Sequence, residues 1–146
     1  SSDLGLQNLA DENPYDLELS ERKLVAIASV LAMDTAVLIL DEPTIAQDYK
    51  GRTIIGSIIK KLSSEGRTVI AILHDMDFVA ENFERIIVMA HGQILADGTK
   101  EEVFSRQDIL RQAHIDQPYL TKLCTKLGYQ KLYFDLPKRN SSETYR

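Results

Sequence analysis

Two adjacent carboxylates, Asp41 and Glu42, come directly after the apolar run Val37-Leu38-Ile39-Leu40 and are themselves followed by Pro43 and Thr44. Two neighbouring acids facing a phosphate site make chemical sense with a metal: one carboxylate can hold Mg²⁺, usually through water, while the other orients a nucleophilic water. An isolated Asp-Glu pair also fits an ordinary turn. His74 adds weight to the first reading, because it too stands directly after an apolar run, Thr68 to Leu73. A histidine there could hydrogen-bond a phosphate or the attacking water. Standing alone it would read as a core or capping residue.

The surrounding elements must bring these groups together. Val37 to Leu40 has no polar interruption and two β-branched residues, the pattern of a central parallel strand buried on both faces. Pro43 cannot donate to a ladder and biases Glu42 away from helix, so both acids should lie at the strand's carboxyl end, where open α/β sheets bind ligands. Ile54, Ile55, Ile58, Ile59 and Leu62 mark one face of a helix, and Gly66 is placed to end it. A helix between two buried strands is a βαβ unit, which puts both strand ends on one edge of the sheet. His74 can therefore approach Glu42. Upstream, Leu24, Ile27, Ala28 and Leu31 predict a buried helix over Glu21 to Met33 with Ser20 as N-cap, and Asp3 to Ala10 is weakly helical.

Downstream, a short helix is expected over Met76 to Asn82. Glu84 to Ala90 and Gln93 to Asp97 then read as edge strands joined by the two-residue turn His91-Gly92. Asp97-Gly98 should turn the chain, and Thr99-Lys100-Glu101-Glu102 is a capping box that opens a helix through Phe104. Gln107 to Ala113 and Gln117 to Leu127 predict two further helices, the second with Leu120, Leu123, Cys124 and Leu127 as a packing or interaction face. Lys131 to Phe134 could form a last strand, and Pro137 to Arg146 reads as a disordered tail.

Composition narrows the function classes. A chain of 146 residues with 44% hydrophobic content can bury one real core. A net charge of -5 without a basic cluster before the tail argues against a nucleic-acid surface or an electrostatic membrane anchor. The single cysteine, Cys124, excludes an intramolecular disulfide and a cysteine metal cage. Leu24 to Leu40 is split by Asp34 and Thr35, so it falls short of the ~18 continuous apolar residues of a membrane span.

Taken together, an apolar strand ending in Asp-Glu-Pro-Thr, Asp48, and a His after the next strand resemble the Walker B, D-loop and H-loop of an ABC-transporter ATPase. Val25 to Met33, Met89 to Gly98 and Glu102-Val103-Phe104 are similar to the energy-coupling factor type, which powers vitamin and transition-metal uptake. The resemblance implies an α/β fold: a partial P-loop NTPase with parallel core strands, an edge hairpin and a small helical carboxyl-terminal extension. The ATPase part would run over residues 1–104, the extension over 105–136 and the tail over 137–146. It also implies ATP and Mg²⁺ as ligands. Asp41 would hold Mg²⁺ through water, Glu42 would be the general base and His74 would touch the γ-phosphate. Asp48 would lie in the loop that crosses to a second ATPase subunit or domain in a head-to-tail dimer. That dimer would drive a transmembrane component from the cytoplasmic face of the membrane.

Two features depart from the pattern. By the family's spacing the signature motif LSGGQ falls on Leu17-Glu18-Leu19-Ser20-Glu21. Leu19 adds bulk where a glycine would let backbone N–H groups approach phosphate, and Glu18 sets a negative charge against a polyanion. Gln47 also stands where Leu is usual. The second departure is that no G-x-x-x-x-G-K-[ST] loop occurs in the sequence. The chain is therefore expected to be the carboxyl-terminal part of an ATPase domain that does not bind ATP tightly alone. A regulatory, ATPase-like subunit with little hydrolysis of its own is the alternative. A chromosome or DNA-repair ATPase is disfavoured because no sustained heptads or basic stripe occur.

Overall fold

The computed structural model describes residues 6–9 and 11–129. The chain divides into two compact units, Ser1–Asn82 and Phe83–Arg146. Lys131 to Phe134 and the tail from Pro137 lie outside the described residues.

In the first unit, a short 3-10 turn at Gln7–Leu9 precedes α1 (Leu19–Leu31), β1 (Val37–Asp41), α2 (Tyr49–Ser64), β2 (Thr68–Ile72) and α3 (Met76–Asn82). The two strands pair in parallel, Val37 against Thr68 through Asp41 against Ile72, with α2 as the crossover between them. This is the βαβ unit expected from the sequence. α2 begins on Asp48, whose Oδ1 accepts the Gly51 N–H at 2.7 Å. It ends in a Schellman motif: Gly66 adopts φ 80, its N–H reaches Ser63 O, and the Arg67 N–H reaches Leu62 O, each at 3.0 Å. Ile55, Ile58, Ile59 and Leu62 are buried along α2, and α2 packs on β2 and α3.

Two expectations need correction in this unit. β1 is not covered on both faces, because Leu38 and Leu40 are buried while Val37, Ile39, Ile70 and Ile72 are each about half exposed or more. Burial alternates along both strands, so among the described residues one face of this two-stranded sheet is covered and the other is open. Ser20 is not the cap of α1, which starts earlier. Glu18 occupies the N-cap position and its N–H donates to Glu21 Oε2 at 3.0 Å, a reach that acids three residues apart allow. In the stretch expected to be weakly helical, Gln7–Leu9 forms a 3-10 turn among the described residues.

The second unit holds β3 (Arg85–Ala90), β4 (Gln93–Thr99), α4 (Lys100–Ser105), α5 (Gln107–Gln112) and α6 (Tyr119–Lys126). β3 and β4 form an antiparallel hairpin whose turn residues His91 and Gly92 both have positive φ, 51 and 73. That is the mirror-image turn that matches strand twist. Leu95 is the extra residue of a bulge, since Val88 pairs with Ala96 and Met89 with Ile94. Asp97-Gly98 does not turn the chain but continues β4. Arg85 holds it there by donating from two nitrogens to the two Asp97 oxygens at 2.9 and 2.7 Å, which keeps the Asp97 carboxyl below its usual range. Phe104, Val103 and Leu110 are fully buried and anchor this unit.

α4 opens on the expected capping box. The Thr99 hydroxyl accepts the Glu102 N–H at 3.3 Å and Glu102 Oε2 accepts the Thr99 N–H at 2.8 Å. Thr99→Ala should lower unfolding stability by about 1 kcal/mol, read from denaturant midpoints; an unchanged midpoint would mean water replaces the cap. On α6 the helical stripe is not the packed side: Thr121 is buried, whereas Leu120, Leu123 and Leu127 are exposed among the described residues.

Candidate functional site

The register of β1 and β2 pairs Asp41 with Ile72, so the next residues of both segments leave the sheet side by side. The Glu42 N–H donates to Ile72 O at 3.0 Å and extends the ladder by one bond. Glu42 then adopts φ 45 and Ala46 φ 61, left-handed conformations that non-glycine residues hold only when the surroundings enforce them. Pro43 and Thr44, within this turn, are buried. The Glu42 side chain is swung back over the β2 end, where Oε1 lies 3.1 Å from His74 Nε2. Glu42 is 19% exposed and His74 89% exposed, so the carboxylate is sheltered and the imidazole faces solvent. The contact lacks hydrogen-bond geometry, and the buried Glu42 Oε1 has no hydrogen-bond partner among the described residues. A buried carboxylate oxygen left open is costly unless water or a ligand satisfies it.

The neighbouring Asp75 fixes the backbone from which His74 projects. Asp75 Oδ1 accepts the Phe78 N–H at 3.0 Å, and Asp75 Oδ2 pairs with an Arg52 nitrogen at 2.7 Å. The Arg52 guanidinium also lies 5.9 Å from the centre of the Phe78 ring.

Asp41 closes β1 with an exposed side chain. Among the described residues no group of three or more His, Cys, Asp or Glu side chains could hold a metal ion. Mg²⁺ bound with a nucleotide does not need such a cage: one or two carboxylates suffice when phosphate oxygens and waters complete the shell. Asp41 offers an exposed carboxylate, an oxygen donor of the kind that suits a hard cation held in this shared way.

The other sequence-predicted positions take different places. Asp48 caps α2. Leu17 is a core residue, Leu19 is 53% exposed, and Glu18 and Glu21 are joined across the α1 start. A cleft beside α1, lined by Pro14, Tyr15, Leu17, Arg22, Val25 and Ala26, contains neither Glu42 nor His74. Two residues that motif reasoning did not assign tie α1 to the Glu42 turn: Lys23 Nζ donates to Glu42 O at 3.2 Å and Gln47 Nε2 to Ser20 O at 3.0 Å. The one hint of this in the sequence was the polar residue at 47.

No family model matches the chain. It is 41% identical over 124 residues to the energy-coupling factor transporter ATP-binding protein EcfA2 of Methanospirillum hungatei, covering 85% of this chain and 31% of that protein. It is 39% identical over 134 residues to EcfA of Methanoculleus marisnigri, covering 91% of this chain and 48% of that protein. The chain is homologous to energy-coupling factor ATP-binding proteins. Its fold matches ABC ATPase domains as well. CbiO1 of Clostridium perfringens, part of the transporter complex CbiONQ, superposes with a TM-score of 0.63 at 32% identity, over 85% of this chain and 50% of that one. The ATP-binding cassette MJ1267 superposes with a TM-score of 0.67 at 26% identity, over 79% and 47%. This energy-coupling factor homologue spans between about a third and half the length of the curated relatives it matches.

Proposed function

We propose that the chain carries the hydrolytic groups of an ATPase subunit that powers an energy-coupling factor importer for a vitamin or a metal ion. What supports this most is the convergence of Glu42 and His74 at 3.1 Å from separate strand ends, with a buried carboxylate oxygen left open between them. Glu42 Oε1 accepts a proton from the water that attacks the γ-phosphorus, and the bond from that phosphorus to the bridging oxygen breaks to release ADP. His74 Nε2, when it bears the proton, donates to a γ-phosphate oxygen. Asp41 is the residue that would hold Mg²⁺, which when bound supplies charge neutralisation along the phosphates. Asp48, from the capped start of α2, contributes the loop that meets a second ATPase subunit or domain. Residues 1–104 form the ATPase part and 105–136 an extension. The subunit works at the cytoplasmic face of the membrane against a transmembrane component, and no helix among the described residues is long and apolar enough to cross a membrane itself.

The degenerate segment Leu17 to Glu21 favours a second reading, a subunit that binds nucleotide and partner while hydrolysing little. Its helix start is closed on itself by Glu18 and Glu21, and it presents Leu19 rather than a glycine backbone to its surroundings. ATP turnover by the full-length protein in its assembly, with and without Glu42→Gln, separates the two: loss of turnover supports the first, unchanged turnover the second.

A further inference from the structure

We infer that Lys23 and Gln47 are positioning residues that set the orientation of Glu42 from helix α1. The inference rests on the reading of Glu42 as the general base. The turn from Glu42 to Gln47 contains two non-glycine residues at positive φ, Glu42 at 45 and Ala46 at 61, so it is held in a conformation it would not choose alone. On the sheet side the Glu42 N–H is fixed to Ile72 O at 3.0 Å. On the other side the Glu42 carbonyl receives the Lys23 ammonium at 3.2 Å, and the Ile45 N–H at 3.3 Å. A charged donor makes the Lys23 bond the stronger of these two, and it is partly sheltered from water. Gln47 ties the far end of the same turn to the first turn of α1, donating to Ser20 O at 3.0 Å. Room for it comes from Gly51, where an added Cβ would lie only 2.1 Å from Gln47 Oε1.

The two ties therefore bracket the turn, one at each end, and both run to α1. Rotating the Glu42 peptide out of its left-handed state would carry the carboxylate away from His74, because the side chain leaves the same Cα. A base must stand within hydrogen-bond reach of the proton it takes, and small misplacements are enough to lose rate. Neither Lys23 nor Gln47 acts on the reacting atoms; both act through Glu42.

The test uses the full-length protein in its assembly. Lys23→Met keeps the aliphatic stem and removes the donor; kcat should fall by about tenfold to a hundredfold with KM for ATP unchanged, and Lys23→Arg should recover most of the rate. In a Glu42→Gln background the same change should have no further effect on the residual rate, since its route is already cut. An unchanged kcat in Lys23→Met, or an equal further loss in the Glu42→Gln background, overturns the inference. Should Lys23→Met fail to fold, Gln47→Leu carries the test: a fall in kcat at constant KM supports the ties and a wild-type kcat refutes them. If Glu42→Gln itself leaves turnover intact, it is the assignment of the base that has failed.

Discussion

Replacing Glu42 with Gln in the full-length protein and its assembly is expected to lower kcat for ATP hydrolysis by at least about a hundredfold, the usual worth of a positioned general base. The amide keeps the size and hydrogen-bonding shape of the side chain but cannot accept the proton of the attacking water. The fold should tolerate the change, because Glu42 is bound to its neighbours through its backbone, by the N–H to Ile72 O and the carbonyl to Lys23. Loss of a negative charge beside a polyphosphate should leave nucleotide affinity equal or tighter. Steady-state turnover and a binding titration on the same preparation check both halves. Turnover at the wild-type level would move the protein to the regulatory reading favoured by Leu17 to Glu21.

His74→Ala is the second large effect. Removing one preorganised donor to developing phosphate charge costs about a hundredfold or more in kcat. At 89% exposure the imidazole contributes little to packing, so thermal stability should stay at the wild-type value while turnover collapses. That split matters, because a capping or core histidine would behave the opposite way, losing stability first. A variant that unfolds early and keeps its rate per folded molecule would return His74 to a structural role.

Much of this site is legible from residue order alone. An uninterrupted apolar strand, a stop at Asp-Glu-Pro, a helical stripe of isoleucines and a second apolar strand leave few topologies, and the parallel pairing of Val37 to Asp41 with Thr68 to Ile72 is the one observed. The hairpin turn at His91-Gly92 and the capping box at Thr99 are equally readable, because each depends on contacts within a few residues. Burial is less so. An apolar run reports that a strand wants cover on both faces, not that its own chain supplies it, and Ile39 remains 65% exposed. Ser20 is the commoner cap type and draws the expected start of α1 toward itself, whereas the Glu18 and Glu21 pair closes the helix earlier. Lys23 belongs to no motif and Gln47 stands out only as a departure from one, and their bonds to Glu42 and Ser20 join segments far apart in the chain. Only tertiary structure shows such pairings. The left-handed backbone of Glu42 is a further case, since nothing in the residue type asks for it.

The most direct measurement is a structure of the full-length Glu42→Gln protein with ATP and Mg²⁺ bound. The γ-phosphate should lie within hydrogen-bond reach of His74 Nε2, with a water between it and the residue 42 side chain and the metal ion on the Asp41 side. A γ-phosphate bound elsewhere, with residues 41, 42 and 74 turned away from it, would contradict the assignment of these groups to hydrolysis.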